Sequence, residues 1–176
     1  MTAQWTAEDF LDSALVSPPQ ISMECSHKGQ YFTTKINRRL PMSRNSGEEM
    51  TIEVSGTFTL KGMRGSGVDD DVIRKFVAEA MLDYQKRVNT KLKTWLSGAL
   101  SKIDKINKAA QTEIRKIEKA KHKLGPEGVE RGFARVNYKR QTGMEALDSS
   151  LTASLAELVR SCVNAAYAAM FKKYGK

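Results

Sequence analysis

Alternating apolar and polar residues predict β-strands in the first third of the chain. The clearest case is Met50 to Lys61, in which apolar residues or glycine alternate with Thr, Ser, Glu and Lys. Ile21 to Cys25 alternates in the same way, and His27-Lys28-Gly29 can then turn the chain into a third candidate strand, Gln30 to Asn37. Together these runs predict a three-stranded antiparallel sheet near the N-terminus.

A short capped helix is expected before the strands. Thr6 can cap its first turn, and Trp5 and Phe10 stand at the two positions of a hydrophobic staple. Pro18-Pro19 prevents the helix from continuing, because proline lacks an amide hydrogen and clashes with the preceding turn. The helix is therefore predicted to end near Leu15.

The period of the apolar positions changes from two to a helical period after a glycine-rich link, Gly62 to Gly67. Asp69-Asp70-Asp71 suits the positive end of a helix that starts there, and the pattern lasts until Leu124-Gly125-Pro126. It predicts one long helix, or two with a bend near Ser97-Gly98. The apolar stripe consists of Phe76, Ala80, Tyr84, Val88, Leu92, Trp95, Ala99, Ile103, Ile106, Ala110, Ile114 and Ile117.

A basic connector and a second helix complete the chain. The connector has apolar residues at helical spacing, but Gly128 and Gly132 predict only a loose helix there. The last helix is expected from Gly143 to Tyr174, again with apolar residues three and four positions apart. It should fold back on the long helix, so that a helical hairpin closes between residues 124 and 143.

The predicted fold class is α+β and mostly α, with a small sheet followed by a long α-helical hairpin. Residues 1–61 are expected to hold the short helix and the β meander, residues 62–68 the link, and residues 69–176 the basic hairpin or bundle. No secretion signal precedes the first strand, which predicts a cytoplasmic protein or one within a virion. Polar residues interrupt the longest apolar-leaning stretch, Ala153 to Phe171, so contact with a membrane is not expected.

Positive charge is concentrated on the predicted long helix. The chain carries 29 Lys and Arg against 20 Asp and Glu, a net charge of +9, and fourteen bases but only five acids lie between Arg74 and Lys123. Such a surplus favours an acidic partner such as nucleic acid. The residues predicted to contact a polyanion are Lys102, Lys105, Lys108, Arg115, Lys116, Lys119, Lys123, Arg131, Arg135, Lys139 and Arg140.

The alternative interpretation of this charge is a solvated helix face. Two of the five acids are spaced to pair along the helix, Asp83 with Arg87 and Asp104 with Lys108. Neither a helix-turn-helix nor zinc-finger spacing is present. Any contact with nucleic acid is therefore expected at the phosphates and without sequence specificity.

The few histidines and cysteines do not predict a catalytic or metal site. Cys25, His27, His122 and Cys162 are the residue types of a zinc site, but His122 belongs to the closed end of the predicted hairpin and Cys162 lies roughly 30 Å along the returning helix. Both cysteines fall on apolar faces, which predicts core positions. The glycine-rich link lacks the Gly-Lys-Ser/Thr ending of a phosphate-binding loop. No catalytic, cofactor-binding or metal-binding residue is predicted, and no small-molecule substrate.

Two functions fit this pattern. The first is a non-enzymatic structural protein of a phage or viral particle, a homo-oligomer or part of a larger assembly, because the apolar stripe of the long helices exceeds what the small sheet can cover. The second is a nucleic-acid-binding protein that contacts phosphates through its basic helix. Coiled-coil-like self-association is predicted through Ile103, Ile106, Ile114, Ile117, Leu151, Leu155 and Leu158.

Overall fold

A computed structural model of the chain describes residues 20–25, 31–42, 47–59 and 70–174. The α+β class and the long helical hairpin are confirmed. The helix predicted to end near Leu15, the turn at residues 27–29 and the link at residues 62–67 lie outside the described residues. The elements are β1 (Gln20–Cys25), β2 (Tyr31–Pro41), β3 (Glu49–Thr59), α1 (Asp70–Lys119) and α2 (Lys121–Tyr174).

The strands belong to one sheet in the order β1-β2-β3. Strands β1 and β2 pair antiparallel, with Gln20 opposite Asn37 and Cys25 opposite Phe32. The buried side chains of the sheet alternate with exposed ones as the sequence predicts, because neighbouring residues of a strand point to opposite faces. The buried residues are Thr34, Ile36, Arg38 and Leu40 in β2 and Met50, Ile52 and Val54 in β3.

Strand β2 is longer than the sequence indicates. It was predicted to end at Asn37 but continues to Pro41. The charged pair Arg38-Arg39 hides the alternation, since Arg38 is only 5% exposed while Arg39 lies in solvent. A buried arginine therefore extends the pattern of inward-facing residues as far as Leu40.

Helix α1 buries the predicted stripe over most of its length. Residues from Phe76 to Ile103 at helical spacing are almost inaccessible to solvent. Near the middle, Leu96 rather than Trp95 completes the buried row; Trp95 lies at its edge, where its indole Nε1 donates a hydrogen bond to Ser154 Oγ at 2.9 Å. The helix is continuous through Gly98.

The chain reverses where the sequence predicts. Helical hydrogen bonding continues past Lys119, because Ala120 N donates to the Lys116 carbonyl and Leu124 N donates to the Ala120 carbonyl. The predicted stop at residues 124–126 is confirmed by a kink at Gly125, which has φ 69° and ψ 171°. Glycine adopts positive φ without a clash from Cβ, and Pro126 then suits the first turn of the renewed helix, where no amide hydrogen is needed.

The connector, predicted as a loose helix, is instead a regular helix that joins the last one, because α2 is helical from the kink to Tyr174. Gly132 was taken as a helix-weakening residue, but it has a packing role. A Cβ built on Gly132 would lie 2.9 Å from Cδ1 of Ile117, so a larger residue there requires the Ile117 side chain to move, and glycine lets the two helices approach closely.

The chain forms two compact units. Of the described residues, the first unit contains those within Arg39–Met50 and Leu96–Leu151, and the second contains those within Pro18–Arg38, Thr51–Trp95 and Thr152–Lys176. Each unit includes part of both helices. Among the described residues, no helix has a stretch long and apolar enough to cross a membrane.

Candidate polyanion-binding surface

Helix α1 presents a row of cations on its solvent side within the first unit. This row, called the basic face below, extends over about 25 Å of helix, given a rise of about 1.5 Å per residue. It lies opposite the buried residues Ala99 and Ile103, so the fold of the hairpin forces it outward. The basic face consists of Lys102, Lys105, Lys108, Arg115, Lys116 and Lys119, all exposed.

Most of these cations have no acidic partner. Lys108 Nζ lies 2.8 Å from Asp104 Oδ2, as the sequence predicts, and the other five cations of the basic face form no ion pair with the described part of the chain. The second predicted pair is also confirmed, with Arg87 Nε 2.6 Å from Asp83 Oδ2 in the second unit. Exposed pairs of this kind contribute at most about 1 kcal/mol each.

Apart from Asp104, which pairs with Lys108, the acids of α1 in the first unit are directed away from the basic face. Glu113 Oε1 lies 3.5 Å from Lys139 Nζ of α2. Glu118 shares the side of the helix occupied by Ile114, four residues earlier. The exposed residues that separate the cations are instead uncharged, namely Ser101, Ala109 and Thr112.

The basic residues predicted on α2 have mixed surroundings. Arg131 is 83% exposed, with its guanidinium 4.0 Å from Glu127 of the preceding turn. Arg135 is exposed, and Lys139 faces Glu113. Lys123, in the turn between the helices, is exposed. The outer surface of α2 therefore carries both signs of charge, unlike the basic face of α1.

Arg140 is engaged inside the first unit. Its Nε donates a hydrogen bond to Asn107 Oδ1 at 2.8 Å, and its Nη2 donates to the Met42 carbonyl at 3.3 Å. Asn107 Nδ2 donates to the same carbonyl at 2.8 Å, and Glu48 lies 3.7 Å from Nη1. These contacts fasten the segment after β2 to both helices. A phosphate would have to compete with them for the guanidinium.

The residues predicted to mediate self-association divide into two groups. Ile103, Leu151 and Leu155 are buried within the single chain. The other four remain partly exposed, and three of them are the isoleucines of α1 nearest the turn. The partly exposed residues are Ile106, Ile114, Ile117 and Leu158. Whether either group mediates self-association stays a prediction.

A small open groove lies between the helices of the first unit. Its volume is about 210 Å³, and small or apolar residues such as Ile106, Ala109 and Gly143 line it together with Glu113 and Lys139. Arg140 also lines it. Glu113 and Lys139 pair with each other, and Arg140 lies 3.7 Å from Glu48, so the charged residues around the apolar groove are all paired.

No metal site is formed within the described part of the chain, where three or more His, Cys, Asp or Glu side chains nowhere come together. The Cys25 side chain and His27 are not among the side chains described. His122 is exposed, and Cys162 is fully buried. Burial raises the pKa of the Cys162 thiol, which keeps it protonated and unreactive.

The polar interior of the second unit contains a pair that the sequence does not reveal. Thr34 Oγ1 of β2 donates a hydrogen bond to the Tyr84 hydroxyl of α1 at 3.2 Å, and both side chains are buried. Burial raises the pKa of Tyr84 to about 12. Tyr84 falls on the apolar stripe, so its spacing predicted a core position but gave no sign of a partner.

Comparison with known proteins adds no relative: no protein-family model, no curated protein and no solved structure matches this chain.

Proposed function

We propose that the chain is a non-enzymatic protein that binds the phosphate backbone of nucleic acid through the basic face, without sequence specificity. The observation that supports this proposal most directly is that five cations without an ion pair share one side of α1. Phosphates that bind there would release their condensed counterions, which is the main source of affinity in binding of this kind. Such a protein would act in the cytoplasm or within a virion.

The distribution of acids supports this proposal over a merely solvated helix. A helix surface that only interacts with water usually mixes charges of both signs, as Arg131 and Glu127 do on α2. On the basic face, by contrast, mutual repulsion of the cations lowers stability slightly, and a polyanion would relieve that repulsion. The small exposed residues Ser101, Ala109 and Thr112 also let a backbone approach closely.

The test is the salt dependence of nucleic-acid binding by a variant that lacks four charges of the basic face, Lys105→Gln, Lys108→Gln, Lys116→Gln and Lys119→Gln. We expect fluorescence anisotropy to show at least a ten-fold loss of affinity, and the slope of log affinity against log salt to fall by about one for each contact removed. All four substitutions lie on solvent-exposed helix positions, so folding should be kept.

A charge-matched control replaces four exposed lysines of the second unit by glutamine, and it should bind nearly as the unmodified protein does. Equal loss in both variants would show that total charge rather than the basic face determines binding. An affinity that does not change with salt concentration would contradict the proposal. The control positions are Lys86, Lys91, Lys93 and Lys172.

A second candidate function is self-association as a structural component of a phage or viral particle. It is favoured by the apolar residues left accessible near the turn, where Ile114 and Ile117 are half-buried and Leu124 is 45% exposed. Apolar side chains that cluster at one end of a helix pair are a common site of contact between copies. The mass of the protein in solution as a function of concentration tests this candidate.

In this proposal the sheet has a supporting, structural role. We propose that β3 pairs with β2 in the antiparallel direction, so that the three strands form a meander. The burial of Met50, Ile52 and Val54 at every second position supports this arrangement.

A further inference from the structure

The basic face has two edges. Arg115 and Lys116 are neighbours in the chain, so their side chains leave the helix about 100° apart. Lys108 shares the edge of Arg115, seven residues away, and Lys105 shares the edge of Lys116, eleven residues away, because both separations are close to whole numbers of turns. Thr112 lies between the edges. Four of the cations therefore form two roughly parallel rows, with Thr112 on the strip between them and Lys119 on the same strip two turns further on.

Between the rows, at the level of Thr112, the helix surface is small and offers no free hydroxyl donor. Thr112 is exposed, and its Oγ1 donates a hydrogen bond to the carbonyl of Lys108 at 2.9 Å. Its hydroxyl hydrogen is therefore already used and cannot be offered to the edge of a base. The strip can lie close to a ligand without distinguishing one base from another.

The helix also lacks the groups that bind single strands. Proteins that hold single-stranded nucleic acid stack its bases on aromatic side chains. The sequence from Leu96 to Lys119 contains no Phe, Tyr or Trp. The one strongly exposed aromatic residue of the first unit's described part is Tyr138, 71% exposed and on α2 rather than on α1. The basic face thus offers charge and shape but no stacking surface.

We infer that the ligand of the basic face is double-stranded DNA in the B form, with α1 lying in the major groove and its two rows contacting the phosphates on either side. This inference rests on the proposed function and specifies its ligand. The major groove is about 12 Å wide and admits an α-helix, whereas the major groove of A-form RNA is too narrow. Two divergent rows of long cations suit a groove bordered by phosphates on both sides.

An anionic membrane surface fits these residues less well. A helix that lies on a membrane buries an apolar face in the lipid. The apolar face of α1 is already covered within the chain, since Ala99 and Ile103 are almost completely buried. The side that remains available has no large apolar residue between the cations.

The first test compares affinities of the full-length protein for three probes of one mixed sequence, a DNA duplex, an RNA duplex and a DNA single strand, at the same salt concentration. We expect the DNA duplex to bind at least ten-fold more tightly than either of the others. A DNA duplex with bulky glucosylated pyrimidines filling its major groove should lose at least ten-fold in affinity. Netropsin, which occupies the minor groove, should change affinity by less than two-fold.

The second test places one negative charge in the strip. Thr112→Glu should weaken binding to the DNA duplex about ten-fold, because its carboxylate would enter the groove between two phosphate backbones. Thr142→Glu is the matched control and should change affinity by less than two-fold. Thr142 is also exposed and also donates to a carbonyl four residues earlier, that of Tyr138 at 2.9 Å, but it lies on α2.

The outcomes separate this inference from the proposed function. Equal affinity for DNA and RNA duplexes, or indifference to a filled major groove, overturns the major-groove inference and leaves nucleic-acid binding intact. Tighter binding of the single strand has the same meaning. Binding to none of the three probes, or binding only to vesicles that contain phosphatidylserine, overturns both.

Discussion

The hydrogen bond between Thr34 and Tyr84 lies inside the mostly apolar core of the second unit. A buried hydroxyl without a partner costs about 1 to 3 kcal/mol, so the Thr34 hydroxyl depends on Tyr84. The pair also links strand β2 to helix α1. A contact of this kind is small in energy but defines how the two elements align.

Replacing Tyr84 by phenylalanine should lower the free energy of unfolding by about 1 to 2 kcal/mol at neutral pH, because Thr34 would lose its acceptor. Urea denaturation followed by circular dichroism measures this. Thr34→Val together with Tyr84→Phe should be less destabilising than the sum of the two single changes, since neither polar group would then remain unpaired.

The same residue predicts how stability depends on alkaline pH. Folding raises the pKa of Tyr84 to about 12, against about 10 in an unfolded chain, because burial disfavours the phenolate. Its contribution to stability is therefore present below pH 10 and is lost as the pH rises from 10 towards 12. The difference in stability between the unmodified protein and Tyr84→Phe should shrink over that range; a constant difference would contradict the assignment.

Arg140 shows how far charge alone can be interpreted. The sequence places it in a basic segment, and on that ground it was predicted to contact a polyanion. Its neighbours Asn107, Glu48 and the Met42 carbonyl come from distant parts of the chain. A pattern of charges along the sequence cannot reveal such partners, whereas it does locate the basic face, whose cations are separated only by turns of one helix.

At the scale of elements, periodicity predicted the strands and the buried stripe, because each depends on neighbours three or four positions apart at most. The turn was predictable in this way too, because Gly125 and Pro126 mark it locally. Gly132 was misjudged, since its role depends on Ile117 of the other helix.

Replacing Gly132 by valine should destabilise the protein by about 1 to 3 kcal/mol, because its side chain would overlap Ile117 Cδ1 and force the helices apart. Gly98→Val is the matched control. Gly98 lies within α1 with no atom near the position of a Cβ, and valine has a higher helix propensity than glycine, so its effect should be close to zero.

Thermal unfolding of both variants measures the difference. Equal Tm values for Gly132→Val and Gly98→Val would show that the helices do not approach closely at Gly132. Adding Ile117→Ala to Gly132→Val should recover part of the lost stability, because the smaller residue makes room for the valine.

For the whole molecule, the apolar residues near the turn determine whether one chain acts alone. If the apolar residues near the turn mediate self-association, light scattering should give a mass well above the 19.6 kDa of one chain, rising with concentration. Leu124→Glu should reduce that mass. Leu82→Glu, at a residue 61% exposed in the second unit, should leave it unchanged. A constant mass of one chain at high concentration would exclude the self-association proposal.

The turn at Gly125 also has a consequence for the order of folding. Residues that face each other across the helices become more distant in sequence away from the turn: 26 residues separate Glu113 from Lys139, and 94 separate Glu79 from Lys173. The entropy lost on closing a loop grows with its length, so contacts near the turn should form first. The basic face lies beside the turn, and we therefore expect it to be assembled while the chain termini are still unfolded.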